Sequence, residues 1–345
     1  MSVDPAVAAA IQSGDLPASV TADYLMESRD RPAKIAILSV GVLTAIIVSL
    51  RIFSRWSVRR LYIDDAFAVC SLVFQVAFVV IAILLIDIGT GRRLPYIEYV
   101  MTPSQTKTSE VLDFSAHLIY TTALFSSRLS GLAFYRRLCE LHSRLSVAIN
   151  CALVFLIAAY LPQMALIIFH CNPVTALWPY SWQLEYADYV CQNWGLVYAV
   201  NSGLSVLCDL VMFAIPVGLI RTLSISPRKK LHLYLVLLPG VLVIIISLVR
   251  VYLVIEGGWY PVGSWDYDPM LAIENAEIGG TLIALSIPGL KPLVDKELSK
   301  LGGLPPSTER QLLAKSHVLR VKTAVTSGTF CDPISLVKLA IRAQE

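Results

Sequence analysis

Seven apolar runs, each close to the length needed to cross a bilayer, are separated by short polar connections, and no other feature narrows the fold as far. A helix crossing a hydrocarbon core about 30 Å thick needs roughly 20 residues. Runs of that order occupy residues 35–53, 66–86, 114–132, 146–169, 194–220, 231–255 and 270–290. The second and sixth are the most uniformly apolar. The third carries Ser126, Ser127, Arg128 and Ser130, and the seventh carries Glu274 and Glu277. Lipid offers backbone groups no hydrogen bonds, and no segment alternates like a barrel strand, so the runs are read as helices. Composition agrees: 56% of residues are hydrophobic, 15% are charged, and mean hydropathy is +0.66. A soluble domain is nearer about a quarter charged. A net charge of +3 gives no field suited to nucleic acid. The opening MSVDPAVAAAIQSGD has neither the basic stretch nor the apolar core of a secretory signal, so the first run is expected to remain as an anchor.

The connections set an orientation. Arg51, Arg55, Arg59 and Arg60 follow the first run, Arg136, Arg137 and Arg144 the third, and Arg221, Arg228, Lys229 and Lys230 the fifth. The alternate connections hold Arg92, Arg93 and Lys107. The positive-inside bias places the first set in the cytoplasm. The expected fold is an all-α membrane protein, a seven-transmembrane helix bundle with its N-terminus outside and its C-terminus cytoplasmic. Residues 1–33 form an extracytoplasmic segment, 34–292 the membrane domain and 293–345 a basic cytoplasmic tail. Pro305, Pro306 and Ser307 read as a linker into a short helix over 309–322.

Cys171 and Cys191 share one outer connection and are expected to form a disulfide. Cys70, Cys151 and Cys208 lie within runs, Cys139 in a cytoplasmic connection and Cys331 in the tail; these are expected as free thiols. Aromatic residues from Trp178 to Trp194 and from Trp259 to Tyr267 mark an outer interface belt. Glu185, Asp188, Glu256, Asp266, Asp268 and Glu274, with His170 nearby, read as a solvated acidic rim. No tight ligand spacing points to a metal.

Charge inside a span faces the bundle interior or a wet cavity. Helical rise puts Arg128 and Asp209 at one depth and Arg250 and Glu277 at another, so two charge layers are expected, each an interhelical pair. Such pairs also serve simply to hold helices in register. In a chemical role, Glu277 and Asp209 are the candidate catalytic carboxylates, Glu277 as general acid, and Glu274 is an alternative second carboxylate. Glu274, Arg250, Asn201 and Arg128 are the candidate ligand contacts. No run contains the Lys that a retinal Schiff base needs, and there is no phosphate-binding GxxxxGK[ST] loop, HExxH or GxSxG. No cofactor is expected; the expected partners are the lipid bilayer and a hydrophobic small molecule.

Several ordered elements resemble the fungal rhodopsin-domain family of integral membrane proteins, the satratoxin-cluster type. They are Arg51-x-x-x-Arg55 and Asp64-Asp65; Phe169, Cys171, Pro173 and Trp178, followed by Cys191; Asn201, Asp209 and Pro216; Leu223, Lys230, Gly240 and Arg250; and Glu277, Pro288, Leu290 and Pro292. The third run departs from the family pattern, with Arg128 and Phe134-Tyr135-Arg136-Arg137. The resemblance implies a fungal seven-helix membrane protein, many of whose relatives sit in secondary-metabolite gene clusters. The leading expectation is a step in secondary-metabolite biosynthesis, a cyclisation or isomerisation of a hydrophobic intermediate. A receptor-like sensor and a metabolite exporter are the alternatives.

Overall fold

Each of the seven apolar runs falls on its own long helix. In a computed structural model of the chain, the described residues are 5–13, 20–57, 59, 61–89, 92, 94–138, 143–176, 190–222, 227–259 and 268–290. The long helices are α3 (Asp30–Ser57), α4 (Ile63–Ile88), α6 (Pro103–Leu138), α7 (Ser143–Ile168), α8 (Trp194–Thr222), α9 (Pro227–Trp259) and α10 (Asp268–Ser286), which ends in a 3-10 turn over Ile287–Leu290. Three short helices, α1 (Pro5–Ser13), α2 (Ala22–Met26) and α5 (Leu94–Tyr99), were not expected from the apolar pattern. The tail helix expected over 309–322, Cys139, Cys331 and most of the aromatic belt and acidic rim lie outside the described residues.

Local chemistry explains the boundaries. At the start of α4 the backbone N–H of Tyr62 donates to Asp65 Oδ2 at 3.2 Å, capping the first turn. At its end Gly89 takes the left-handed conformation (φ 103°), and its N–H donates to the Ile86 carbonyl. A Cβ at Gly89 would stand 3.0 Å from the Tyr96 ring of α5. Helix α6 overruns its apolar run most. Its 36 residues reach roughly 54 Å, longer than a bilayer core, at the usual helical rise. Pro162, Pro216 and Pro239 sit inside α7, α8 and α9, each removing one ladder hydrogen bond.

Successive long helices pack as neighbours from α3 through α9, and α10 closes the ring by packing on both α9 and α3. It also touches α4 and α6. One apolar core joins α3, α4, α6 and α10 around Ile37, Phe78, Leu85, Leu124 and Ile278; a second joins α6, α7 and α8 around Leu132, Leu156 and Met212.

Among the described residues, five segments are long and apolar enough to cross a membrane: Ala22–Ser57, Ile63–Ile88, Leu145–Ile168, Gly195–Gly218 and Leu238–Ile255. Helices α6 and α10 are not among them, and packing gives the reason. Large apolar side chains such as Val42, Val73, Val154, Leu196 and Tyr252 point outward from the five. On α10, the buried set includes Glu274, Asn275, Glu277 and Thr281, and on α6 it includes Asp113, His117 and Arg128. Apolar groups outside and polar groups inside is the arrangement that lipid selects and water opposes.

Between α7 and α8, a two-residue antiparallel ladder pairs β1 (Cys171–Asn172) with β2 (Val190–Cys191), and a disulfide links Cys171 to Cys191. Cys70 and Cys151 are exposed free thiols, and Cys208 is a buried one.

Gly279 of α10 permits a close helix approach. A Cβ there would lie 2.7 Å from both Val40 and Thr44 of α3 and 3.0 Å from Gln75 of α4. Small residues permit such contacts between membrane helices. Gly279→Val is therefore expected to destabilise the protein by about 1–3 kcal/mol through overpacking. Gly203→Ala, where a Cβ meets nothing within 4 Å, is the matched control. Thermal unfolding in nanodiscs checks this, and equal transitions for the two variants would contradict the packing.

Candidate functional site

Two buried ionic clusters occupy the bundle. The first lies away from the disulfide, where α3 ends and α4 begins. Arg51 pairs with Asp64 at 2.9 Å and with Asp65 at 3.1 Å; Arg55 pairs with Asp65 at 2.9 Å and also with Asp64. Arg51 further donates to the Leu285 carbonyl at 3.2 Å, and Ser130 donates to the Asp64 carbonyl at 2.6 Å, so α10 and α6 are tied in. Arg137, also on α6, reaches Asp64 at 3.1 Å. This corrects the reading of Arg51 and Arg55 as loop charges facing the cytoplasm. They are helical, 1% and 6% exposed, and neutralised by two aspartates. The four-residue spacing of the arginines and the adjacent Asp64-Asp65 pair were the available signal.

The second cluster joins α6, α8, α9 and α10. Arg128 donates to Asp209 Oδ1 at 3.0 Å and to Ser205 Oγ at 2.7 Å. Asp209 Oδ2 accepts from Ser247 at 2.8 Å. Ser205 donates to Glu277 Oε1 at 2.9 Å, and the Ser247 hydroxyl, 3.2 Å from the same oxygen, has one proton to share between Asp209 and Glu277. Glu277 Oε2 accepts from the Tyr120 hydroxyl at 2.7 Å and from Arg250 at 3.3 Å, and Arg250 donates to the Tyr120 hydroxyl too. The two expected layers are thus one network, bridged by two serines, with Arg128 itself 3.9 Å from Glu277.

The network continues towards the disulfide end. Arg250 Nε lies 3.6 Å from Glu274, and His117 Nδ1 lies 3.7 Å from the same oxygen. His117 Nε2 stands 3.4 Å from Asp113, and the Tyr198 hydroxyl is 2.6 Å from His117 and donates to Asp113 at 3.1 Å. Four carboxyl groups therefore share two guanidiniums and one imidazole in a buried interior. Their hydrogen bonding is unequal. Glu277 is fully buried and both of its oxygens accept bonds, whereas among the described residues neither oxygen of the fully buried Glu274 has a hydrogen-bond partner. Among the described residues no His, Cys, Asp and Glu side chains are grouped to hold a metal ion.

Of the candidate residues, Glu277, Asp209, Glu274, Arg250 and Arg128 are brought together. Asn201 is buried on α8 outside this cluster, and its backbone carbonyl accepts from Gln163 of α7 at 3.0 Å. Asp113, His117, Tyr120, Tyr198 and Ser247 were not anticipated. Asp113 and His117 stand four residues apart, one turn of α6, and that was the missed signal.

Beside the Arg128–Asp209 pair a small cleft of about 60 Å³ opens between the same four helices. Arg128, Asp209 and Thr281 line its polar part, and Met212, Phe213 and Leu285 are among its apolar walls.

Two predictions follow from this electrostatic layout. Removing one member of a buried pair strands the other, at a cost of about 3–5 kcal/mol, whereas removing both costs less. Arg128→Met and Asp209→Leu are each expected to lower stability more than the double variant does, read as thermal transitions in nanodiscs; strictly additive losses would contradict the pairing. The second concerns Glu110, which precedes the apolar run of α6. Burial, reinforced by the Asp113 carboxylate, raises its carboxyl from 4.5 to about 7. The folded protein then holds a proton that the unfolded chain has released, so stability falls as pH rises across that window. Glu110→Gln is expected to flatten the decline in transition temperature between about pH 5 and 8; an unchanged slope would contradict it.

Residues 50–296 match the fungal rhodopsin domain. Over 152 residues the chain is 24% identical to a SAT4 family membrane protein of Emericella nidulans, an alignment covering 44% of this chain and 38% of that protein. The chain thus spans about two fifths of that relative's length. No solved structure matches it. The domain match covers well over half of the chain, and the inside-out helical bundle agrees with it: the chain belongs to the fungal rhodopsin domain family and is a multi-pass membrane protein.

Proposed function

We propose that this protein is a seven-span, receptor-like sensor with residues 1–33 outside, 34–292 as the membrane domain and 293–345 as a cytoplasmic tail. Adding α6 and α10 to the five apolar helices gives the seven spans, because both complete the ring on which those helices pack. Arg59 and Arg136, with Arg221 at the end of α8 and Arg228, Lys229 and Lys230 at the start of α9, support the orientation.

The observation that carries the sensing reading is the unbroken second cluster. It runs from Asp113 and His117 near the disulfide end to Arg128 and Asp209 at the head of the cleft, passing through four helices. Ion pairs and hydrogen bonds of this kind have a few discrete arrangements, so a change at one end biases the other. The saturated Glu277 is suited to coupling. A general acid needs an oxygen free to carry and deliver a proton.

One observation favours a second reading, catalysis of a cyclisation or isomerisation in secondary metabolism. Glu274 is a fully buried carboxyl with, among the described residues, neither oxygen hydrogen-bonded. It meets that requirement for a general acid better than Glu277, with Asp209 in a supporting role.

The experiment is metabolite and transcript profiling of a strain lacking the gene, complemented with wild type, Glu277→Gln or Glu274→Gln. The sensor reading expects the metabolites of a pathway and their transcripts to fall together, with Glu277→Gln failing to restore either. Accumulation of one intermediate with transcripts intact, cleared by wild type and not by Glu274→Gln, would replace it with the catalytic reading.

A further inference from the structure

We infer that Glu274, backed by His117, is the binding site of one exchangeable proton. This deepens the sensor reading by naming the species bound, and rests on that reading only for what uptake would report. The second cluster is one positive charge short. Asp113, Asp209, Glu274 and Glu277 are all buried, and so are Arg128, Arg250 and His117. With every carboxyl ionised and His117 an imidazolium, four negative charges face three positive ones. A surplus charge is costly in a low-dielectric interior, and one further proton removes it.

Hydrogen bonding places that proton. Both oxygens of Asp209 and both of Glu277 accept bonds. Asp113 Oδ2 accepts from the Tyr198 hydroxyl. That hydroxyl gives its proton to Asp113, so His117 Nε2, 2.6 Å from it, is a donor. The other ring nitrogen, Nδ1, faces Glu274 Oε1 at 3.7 Å. Glu274 Oε2 is left, fully buried and with no hydrogen-bond partner among the described residues. An O–H bond formed there, with a proton drawn from water, makes the cluster neutral. A metal cation would supply the same charge, but Arg250 Nε and His117 Nδ1 already stand 3.6 and 3.7 Å from this carboxyl and would repel it. The groups acting on Glu274 are Asp113, His117 and Tyr120 on α6, Tyr198 on α8, Arg250 on α9 and Glu277 on α10. Helices α3 and α4 meet the neighbouring Asn275 with the uncharged Ile37 carbonyl and Gln75. Glu110 stands three residues before Asp113 on α6, and burial together with the Asp113 carboxylate raises its carboxyl to about 7. It places a second protonatable group between the exposed first turns of α6 and the site.

The test is infrared difference spectroscopy of the full-length protein in phosphatidylcholine nanodiscs as pH is stepped from about 8 to about 5. The expected signal is the carbonyl stretch of a carboxylic acid in a dry site, higher in frequency than that of a hydrated acid and shifted in deuterium oxide. It must move when glutamate is isotope-labelled at its carboxyl carbon and stay when aspartate is. Glu110→Gln removes the contribution of the outer acid and leaves the band; Glu274→Gln abolishes it. The labelling is read on wild type and on Glu110→Gln, so it does not depend on Glu274→Gln folding. No band, an aspartate-dependent band, or a band lost entirely in Glu110→Gln overturns the proposal. A band suppressed by sodium chloride and not by choline chloride assigns the charge to a metal cation and overturns it too. A site that takes no proton, in a protein whose loss still lowers metabolites and transcripts together, falls alone and leaves the sensor reading standing. The glutamate band in a protein whose loss leaves transcripts intact keeps the site and removes that reading.

Discussion

A charge in hydrocarbon persists only beside its counter-charge, and that requirement positions the helices of this protein. Glu277 of α10 gathers donors from α6, α8 and α9, and the Arg51–Asp64 cluster gathers α3, α4, α6 and α10 at the far end. Because lipid is as apolar as the side chains it replaces, apolar burial alone cannot bring membrane helices together; close packing at small residues and polar contacts do that work. Gly279 supplies the close approach and the two clusters supply the polar contacts. Once α10 is held, α3, α4, α6 and α9 are placed around it.

This explains what was legible in the sequence. The five lipid-facing helices carry unbroken apolar surfaces, so length and hydropathy locate them. Helices α6 and α10 carry their information in polar residues, whose meaning depends on partners far along the chain. Arg128 and Asp209 are 81 residues apart, and Tyr120 and Glu277 are 157 apart. Helical rise equates the depths of residues on different helices, which was enough to match Arg128 with Asp209 and Arg250 with Glu277. It says nothing of serines that bridge layers, so one network read as two. Arg51 and Arg55 failed for the opposite reason. They sit at a helix end rich in basic residues, where positive charge ordinarily means water. Only the folded position of Asp64 and Asp65 shows that these two arginines are buried.

The unequal treatment of two glutamates one helical turn apart gives the bundle its functional character. Glu277 is saturated and holds four helices in one arrangement; Glu274 is buried and, among the described residues, is opposed by Arg250 and His117 at 3.6 and 3.7 Å, with neither oxygen hydrogen-bonded. A saturated centre flanked by a looser acidic end and an open cleft is built to pass a change along rather than to hide one.

The most direct test of that claim is a distance measured at one end of the network after a change at the other. Spin labels at Arg136→Cys on α6 and Ala214→Cys on α8, both exposed positions, report on the helices that frame the cleft, with the free thiols replaced by serine. Pulsed dipolar spectroscopy then compares protein with and without Glu274→Gln. The account predicts that the α6–α8 distance distribution shifts or broadens, although Glu274 lies on another helix towards the opposite end. An unchanged distribution in a protein that retains its thermal transition would contradict it, leaving the buried charges as local staples.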